Sequence, residues 1–189
     1  MSIIIKLFFL SLLSAASTSI LLAKETTNST SKVEIRDSAS FFDESLNDMT
    51  EESEIAIEEG KKGILLMFEM DECPFCARMK KTVLNRSDVQ DYYRENFRVL
   101  AVDVEGDLEL TDFDGKVTTQ KEFSLKQFRV RATPVFQFLD IKGKPIKNGK
   151  LTGATRDAEE FMMLGSYIVD GEHNKVPFTR YKRQQKKSN

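Results

Sequence analysis

The sequence predicts an α/β domain in which a central mixed sheet of about four to five strands is flanked by helices. Three observations predict it. Short β-prone runs recur at residues 64–68, 98–103, 135–139 and 146–151. Segments with apolar residues at helical spacing lie between and after them, so the order reads βα, βα, β-hairpin, α. Crossovers through helices make strands parallel and hairpins make them antiparallel, which gives a mixed sheet with helices on both faces.

Taken in order, residues 40–60 carry Phe41, Phe42, Leu46, Met49, Ile55 and Ile57 at spacings nearer a helix period than strict alternation, and Gly60 closes the segment. One broken helix, or two, is expected. The run 64–68 follows Gly63 and stops before acidic residues, a length that suits a buried strand. Pro74 then opens a helix at the position where proline is favoured. It continues through Phe75, Met79 and Leu84, with Arg78, Lys80 and Lys81 farther along, where the helix dipole favours cations. Ser87 and Gln90 read as a capping box for a helix through Tyr92, Tyr93 and Phe97 that gives way to a strand at 98–103. Residues 105–117, with two glycines and several acids, read as an excursion. Thr119 and Glu122 read as a second capping box before Phe123, Leu125 and Phe128, in a helix that stops near Arg129. Thr133-Pro134 precedes the strand 135–139, which turns through Gly143 and pairs with 146–151. Thr155 reads as the cap of a last helix through Phe161, Met162, Leu164 and Ile168, ended by Gly171.

The chain has 189 residues, 40% of them hydrophobic, enough for one compact domain with a core. Its net charge of −2, with the signs well mixed, argues against nucleic acid as a partner. Lys6, the apolar run 7–13 and the small residues Ser14, Ala15, Ala16 and Ser17 have the order of a signal peptide. Residues 1–23 are therefore expected to be a signal peptide or, being about as long as a membrane span, an uncleaved anchor. Either way the domain is expected in the periplasm. Residues 24–39 read as a flexible linker, 40–171 as the domain, and 172–189 as a basic, solvated tail. The lone His173, beyond the last helix, is assigned no catalytic role.

Only two cysteines are present, Cys73 and Cys76, so no scaffold of several long-range disulfides is available. Structural zinc needs four ligands, and this chain adds only His173 and scattered carboxylates; no metal and no cofactor is expected. Two intervening residues at a helix start put both sulfurs in the first turn, close enough to form a disulfide. Unpaired N–H groups and the helix dipole there favour a thiolate. Cys73, expected to face solvent, is the nucleophile of a thiol–disulfide exchange, and Cys76 is the resolving thiol. The other reading is a structural pair, oxidised once and inert. Pro74 and Phe75 are expected to be exposed apolar neighbours of the pair. Pro74 also suits a plain helix start, and Phe75 suits surface contact or partial core.

The order of elements, Cys73-Pro74-Phe75-Cys76 at a helix start, and Thr133-Pro134 before the hairpin resemble the thioredoxin family over residues 41–168. The resemblance implies a thioredoxin fold in which Pro134 is cis and stands beside the cysteines. It also implies that Thr133 pairs its backbone with an extended substrate segment, so that Thr133 and Pro134 join Pro74 and Phe75 as substrate-binding residues. More narrowly, residues 68–84, 103–107 and 111–115 are similar to SoxW-type periplasmic thioredoxins. That similarity implies a monomeric, exported dithiol reductase that takes electrons from a membrane thiol transporter and passes them to exported proteins with disulfides. A thiol oxidase, a disulfide isomerase and a redox-inactive binding module of the same fold are the alternatives. The sequence departs from ordinary thioredoxins at Glu72, where they have Trp, and in Pro-Phe between the cysteines. It departs again at Met67, where they have a buried Asp. A proton acceptor for Cys76 must then come from elsewhere. Glu69 and Glu72 are candidates, unless both are simply exposed loop charges.

Overall fold

The computed structural model describes residues 33–188. The expected signal segment, and most of the expected linker, lie outside the described residues. After a 3-10 turn, Ser38–Phe41, the elements are α1 (Met49–Glu58), β1 (Gly63–Glu69), α2 (Pro74–Thr82), α3 (Ser87–Asn96) and β2 (Phe97–Asp103). A short hairpin follows, β3 (Glu109–Thr111) and β4 (Val117–Thr119), then α4 (Gln120–Glu122), which runs into a π-helical stretch, Phe123–Gln127. The chain ends with β5 (Val135–Leu139), β6 (Pro145–Thr152), α5 (Ala158–Val169), a 3-10 turn and α6 (Phe178–Ser188).

The main sheet has four strands in the order β2-β1-β5-β6. β1 runs parallel to β2 and antiparallel to β5, which is antiparallel to β6, so the sheet is mixed as the sequence predicts. Side-chain alternation along the strands divides the core in two. Leu65, Met67, Val99, Phe136 and Phe138 face α2, α3 and α5, packing on Met79, Tyr93, Phe161 and Leu164. Ile64, Leu66, Phe68, Leu100 and Val102 face the other side, against Met49 and Ala56 of α1 and Phe123 and Phe128. Gly63 is required where β1 starts, because a Cβ there would lie 2.3 Å from the Leu139 carbonyl oxygen of β5. Arg98, buried beneath α1, donates to Glu52 at 2.6 Å and to the Glu44 carbonyl at 2.8 Å, so its burial is compensated on both sides.

Two caps fall elsewhere than expected. Ser87 is the first residue of α3 rather than its cap, and its Oγ accepts the Glu34 N–H at 3.2 Å; Gln90 donates to the carbonyls of Asp37 and Leu84. The segment before the domain claimed both side chains. At α5 the cap is Asp157, which accepts the Glu160 N–H at 2.8 Å, whereas Thr155 is buried and turns its hydroxyl to the Asp157 carbonyl. The Asp157 carboxyl is held below the usual range by that backbone N–H first and by Arg156 second. At Thr119 the cap half of the expected capping box forms, its Oγ1 accepting the Glu122 N–H at 3.2 Å, while the Glu122 carboxylate turns to Lys126.

The described part of the expected linker is docked. The Ser87 N–H donates to Glu34 O at 2.9 Å and the Arg36 N–H to Asn85 O at 2.8 Å, and just past the linker Phe41 is fully buried against Tyr93 and Phe161. The basic tail is no frayed end. Phe178 and Tyr181 of α6 pack on Tyr167 of α5, Lys182 pairs with Glu160, and the Tyr167 hydroxyl donates to Val176 O at 2.7 Å. Two rings at positions i and i+3 suffice to seat a helix whose other side is charged.

Candidate redox site

β1 delivers the site. It ends at Glu69, beside Asp103 at the end of β2 and near Val135 at the start of β5, since Phe68 pairs with Val135. Whatever follows β1 and whatever precedes β5 therefore meet at one end of the sheet. Cys73 and Cys76 follow β1; Thr133 and Pro134 precede β5.

Cys73 is the N-cap of α2, in extended backbone, and Pro74 takes the first helical position as expected. The two sulfurs are joined, with S–S 2.10 Å and Cα–Cα 5.2 Å. The Cys76 N–H points at Cys73 Sγ from 3.1 Å. When the bond opens, that donor and the dipole of α2 meet the sulfur of Cys73, where they favour the charged form. The geometry equips Cys73 to carry a thiolate and Cys76 to close on it.

Cys73 does not face solvent as expected: it is 4% exposed and Cys76 3%. Both cysteines, joined in the disulfide, belong to the core cluster that includes Leu65, Met67 and Met79. Access is by a hollow of about 210 Å³ that both cysteines line with Glu69, Met70, Asp71, Lys80 and Asp103. Pro74 is exposed and Phe75 is 61% exposed, so the apolar apron expected beside the pair is present.

The Thr133-Pro134 peptide is cis, as the resemblance implies. Pro134 is buried, its carbonyl accepting the Gly153 N–H at 2.8 Å, while Thr133 is half-buried and precedes the first paired residue of β5. Thr133 lines a second hollow, of about 370 Å³, with Val104, Lys121, Leu125 and Val130. Met70 forms a wall of both hollows, so the cysteine pair and the Pro134 loop open onto adjoining surfaces.

The two candidate proton acceptors separate. Glu72 is exposed. Glu69 has a side chain only 16% exposed and an ion pair with Lys80 at 2.7 Å. Met67 is fully buried among apolar residues. Lys80 and Asp103 were not singled out from sequence. Lys80 stands one helical turn beyond Cys76, a spacing that places it on the same helix face; Asp103 reaches the site only through the β1–β2 register. His173 lies elsewhere, its Nδ1 3.2 Å from the Lys147 carbonyl oxygen.

A family model of the thioredoxin-like domain matches residues 49–168. The chain belongs to the thioredoxin-like family. The matched stretch runs from α1 to α5 of this thioredoxin-like domain and includes Cys73, Cys76, Thr133 and Pro134. Among solved structures, the chain is similar to a thioredoxin-fold protein from Helicobacter pylori, 24% identical over 66% of this chain and 82% of that one, with a TM-score of 0.53. It is also similar to a thioredoxin from Thermus thermophilus, 24% identical over 63% of this chain and 82% of that one, with a TM-score of 0.49. The C-terminal domain of DsbD from Neisseria meningitidis, in its reduced form, is 19% identical over 61% of this chain and 88% of that one, with a TM-score of 0.45. No curated protein matches.

Proposed function

We propose that this thioredoxin-like protein is an exported thiol–disulfide oxidoreductase that works as a dithiol reductase. The observation that carries the reading is the closable Cys73–Cys76 pair, set at a helix N-terminus and opening onto a hollow beside the Pro134 loop. An inert staple needs none of that surrounding. In the reduced form the Cys73 thiolate attacks one sulfur of a partner disulfide, and the other partner sulfur leaves with the electron pair. Cys76, as its thiolate, then attacks Cys73 Sγ, closing the internal disulfide and releasing the second partner sulfur. Two electrons pass to the partner. The partner segment lies extended along Thr133, exchanging backbone hydrogen bonds with it, against Pro134 and with apolar contact to Pro74 and Phe75.

Export is supported by the charge, apolar run and small residues of the first 23 positions. Reduction is supported by the similarity of residues 68–84, 103–107 and 111–115 to SoxW-type proteins, with a membrane thiol transporter as electron donor and exported disulfide proteins as acceptors. Replacing Cys76 with Ser removes the resolving thiol, so partners are expected to remain bonded to Cys73. Mass spectrometry of the affinity-purified Cys76→Ser chain from native expression is expected to show partner proteins released by reductant. An absence of such adducts would favour a module that binds without exchanging.

A further inference from the structure

Closing the Cys73–Cys76 bond requires the Cys76 thiol to lose its proton, since only a thiolate attacks a disulfide. Cys76 is 3% exposed, on the inner face of α2, and an apolar surrounding disfavours a charged sulfur. The proton needs a nearby acceptor. The polar side chains that share the hollow with the two sulfurs are Glu69, Asp71, Lys80 and Asp103.

These four are not equivalent. Glu69 is the last residue of β1, and both its oxygens are engaged by Lys80, whose Nζ lies 2.8 Å from Oε1 and 2.7 Å from Oε2. Lys80 follows Cys76 by four residues on the same helix face, so the helix that carries the resolving thiol also carries the ammonium that fixes the carboxylate. Its ammonium also lies over the Phe42 ring, 5.9 Å from the centroid. Asp103 faces Glu69 across the β1–β2 ladder and accepts the Glu105 N–H at 2.9 Å through Oδ1, whereas Glu69 is the carboxylate that Lys80 ties to the helix carrying Cys76. Asp71 is exposed. Across Met70, the next hollow adds Glu105, Lys121 and Arg131.

We propose that Glu69, positioned by Lys80, takes the Cys76 proton through water in the hollow; this rests on the exchange reading above. A space of about 210 Å³ holds several waters, each occupying about 30 Å³ in the liquid. In the resolving step the S–H proton of Cys76 passes by water to the Glu69 carboxylate. The Cys76 sulfur attacks Cys73 Sγ, and the bond between Cys73 and the partner breaks. The partner sulfur leaves with the electron pair, and Glu69 returns its proton to solvent. When the internal disulfide is reduced, the same carboxylic acid protonates Cys76. Glu69 acts through water and so is a proton relay, with Lys80 as its positioning residue.

The reduced full-length chain, mixed with dithionitrobenzoate, releases one thionitrobenzoate when Cys73 attacks and a second when Cys76 resolves the adduct. Stopped-flow absorbance across pH separates the two releases. Glu69→Gln is expected to leave the first unchanged and to slow the second by about 10²-fold at neutral pH, the low end of what a positioned base contributes. The second rate should then climb with hydroxide concentration, where the unaltered chain is flat. Glu69→Asp restores most of it, and Asp103→Asn has little effect. A second release with unaltered rate and pH profile in Glu69→Gln overturns the proposal, as does slowing by Asp103→Asn in its place. If the unaltered chain releases no thionitrobenzoate at all, the exchange reading falls and this proposal with it.

Discussion

Replacing Cys73 with Ser is expected to reduce exchange with any disulfide substrate to the uncatalysed background. The loss is chemical rather than structural. Cys73 is the N-cap of α2, and Ser is among the best residues at that position, so the helix start survives the change. What disappears is a sulfur whose charged form is favoured by the Cys76 N–H at 3.1 Å and the dipole of α2. A hydroxyl in the same place stays protonated. Release of thiolate from an aromatic disulfide checks it: background rate in Cys73→Ser, one equivalent in Cys76→Ser, two in the unaltered chain.

The largest effect on stability is expected at Phe161. Its ring stacks on Tyr93 with centroids 4.4 Å apart and planes 11° from parallel, and it also meets Phe41 and Phe136. All four rings are fully buried. Phe161→Ala leaves the Tyr93 hydroxyl its acceptor, because the Phe161 carbonyl at 2.5 Å is backbone. Burial pushes the Tyr93 phenol well above its ordinary range, so that donor stays neutral into alkaline pH. The cost is then packing alone, about 3–5 kcal/mol for a buried Phe truncated to Ala. At roughly 2–4 °C per kcal/mol for a domain of this size, the thermal midpoint should fall by about 10 °C. Thermal circular dichroism measures it. α5 and the two cysteines share this core cluster, so the loosened domain should also lose resistance to proteolysis around α2.

How far the sequence told this in advance differs from element to element. The strands at 64–68 and 135–139 were legible because nearly every residue in them is apolar and turn residues bound them. The hairpin β3–β4 was not, since its strands are three residues long and carry only Leu110 as a buried apolar side chain. Ser87 and Thr155 are cap-type residues that miss the cap by one and two positions: Ser87 opens α3 and accepts from the distant Glu34, and Thr155 bonds the carbonyl of Asp157, which takes the cap itself. α6 hid among cations because two aromatic residues were its whole apolar signal.

At the site, the cysteine spacing and Pro74 announced a helix start, and the resemblance supplied the cis Thr133-Pro134 peptide; neither told how deeply Cys73 is shielded. That depends on the packing of the buried cluster that Cys73 shares with Leu65, Met67 and Met79. Glu69 and Glu72 looked alike in sequence. They differ because Glu69 ends β1 within reach of Lys80, whereas Glu72 sits on the exposed loop before α2.

Direction of electron flow decides between a reductase and its oxidising relatives, and it is measured directly. The full chain is equilibrated with glutathione buffers of graded ratio, quenched with acid, and the fraction of Cys73–Cys76 disulfide is read by thiol alkylation and mass. Potentials of such pairs span about −270 to −120 mV, with 30 mV worth about 1.4 kcal/mol. A dithiol reductase gives a reversible two-electron transition toward the −270 mV end of that roughly 150 mV range. A midpoint near −120 mV, or a pair that stays closed at every ratio, contradicts it.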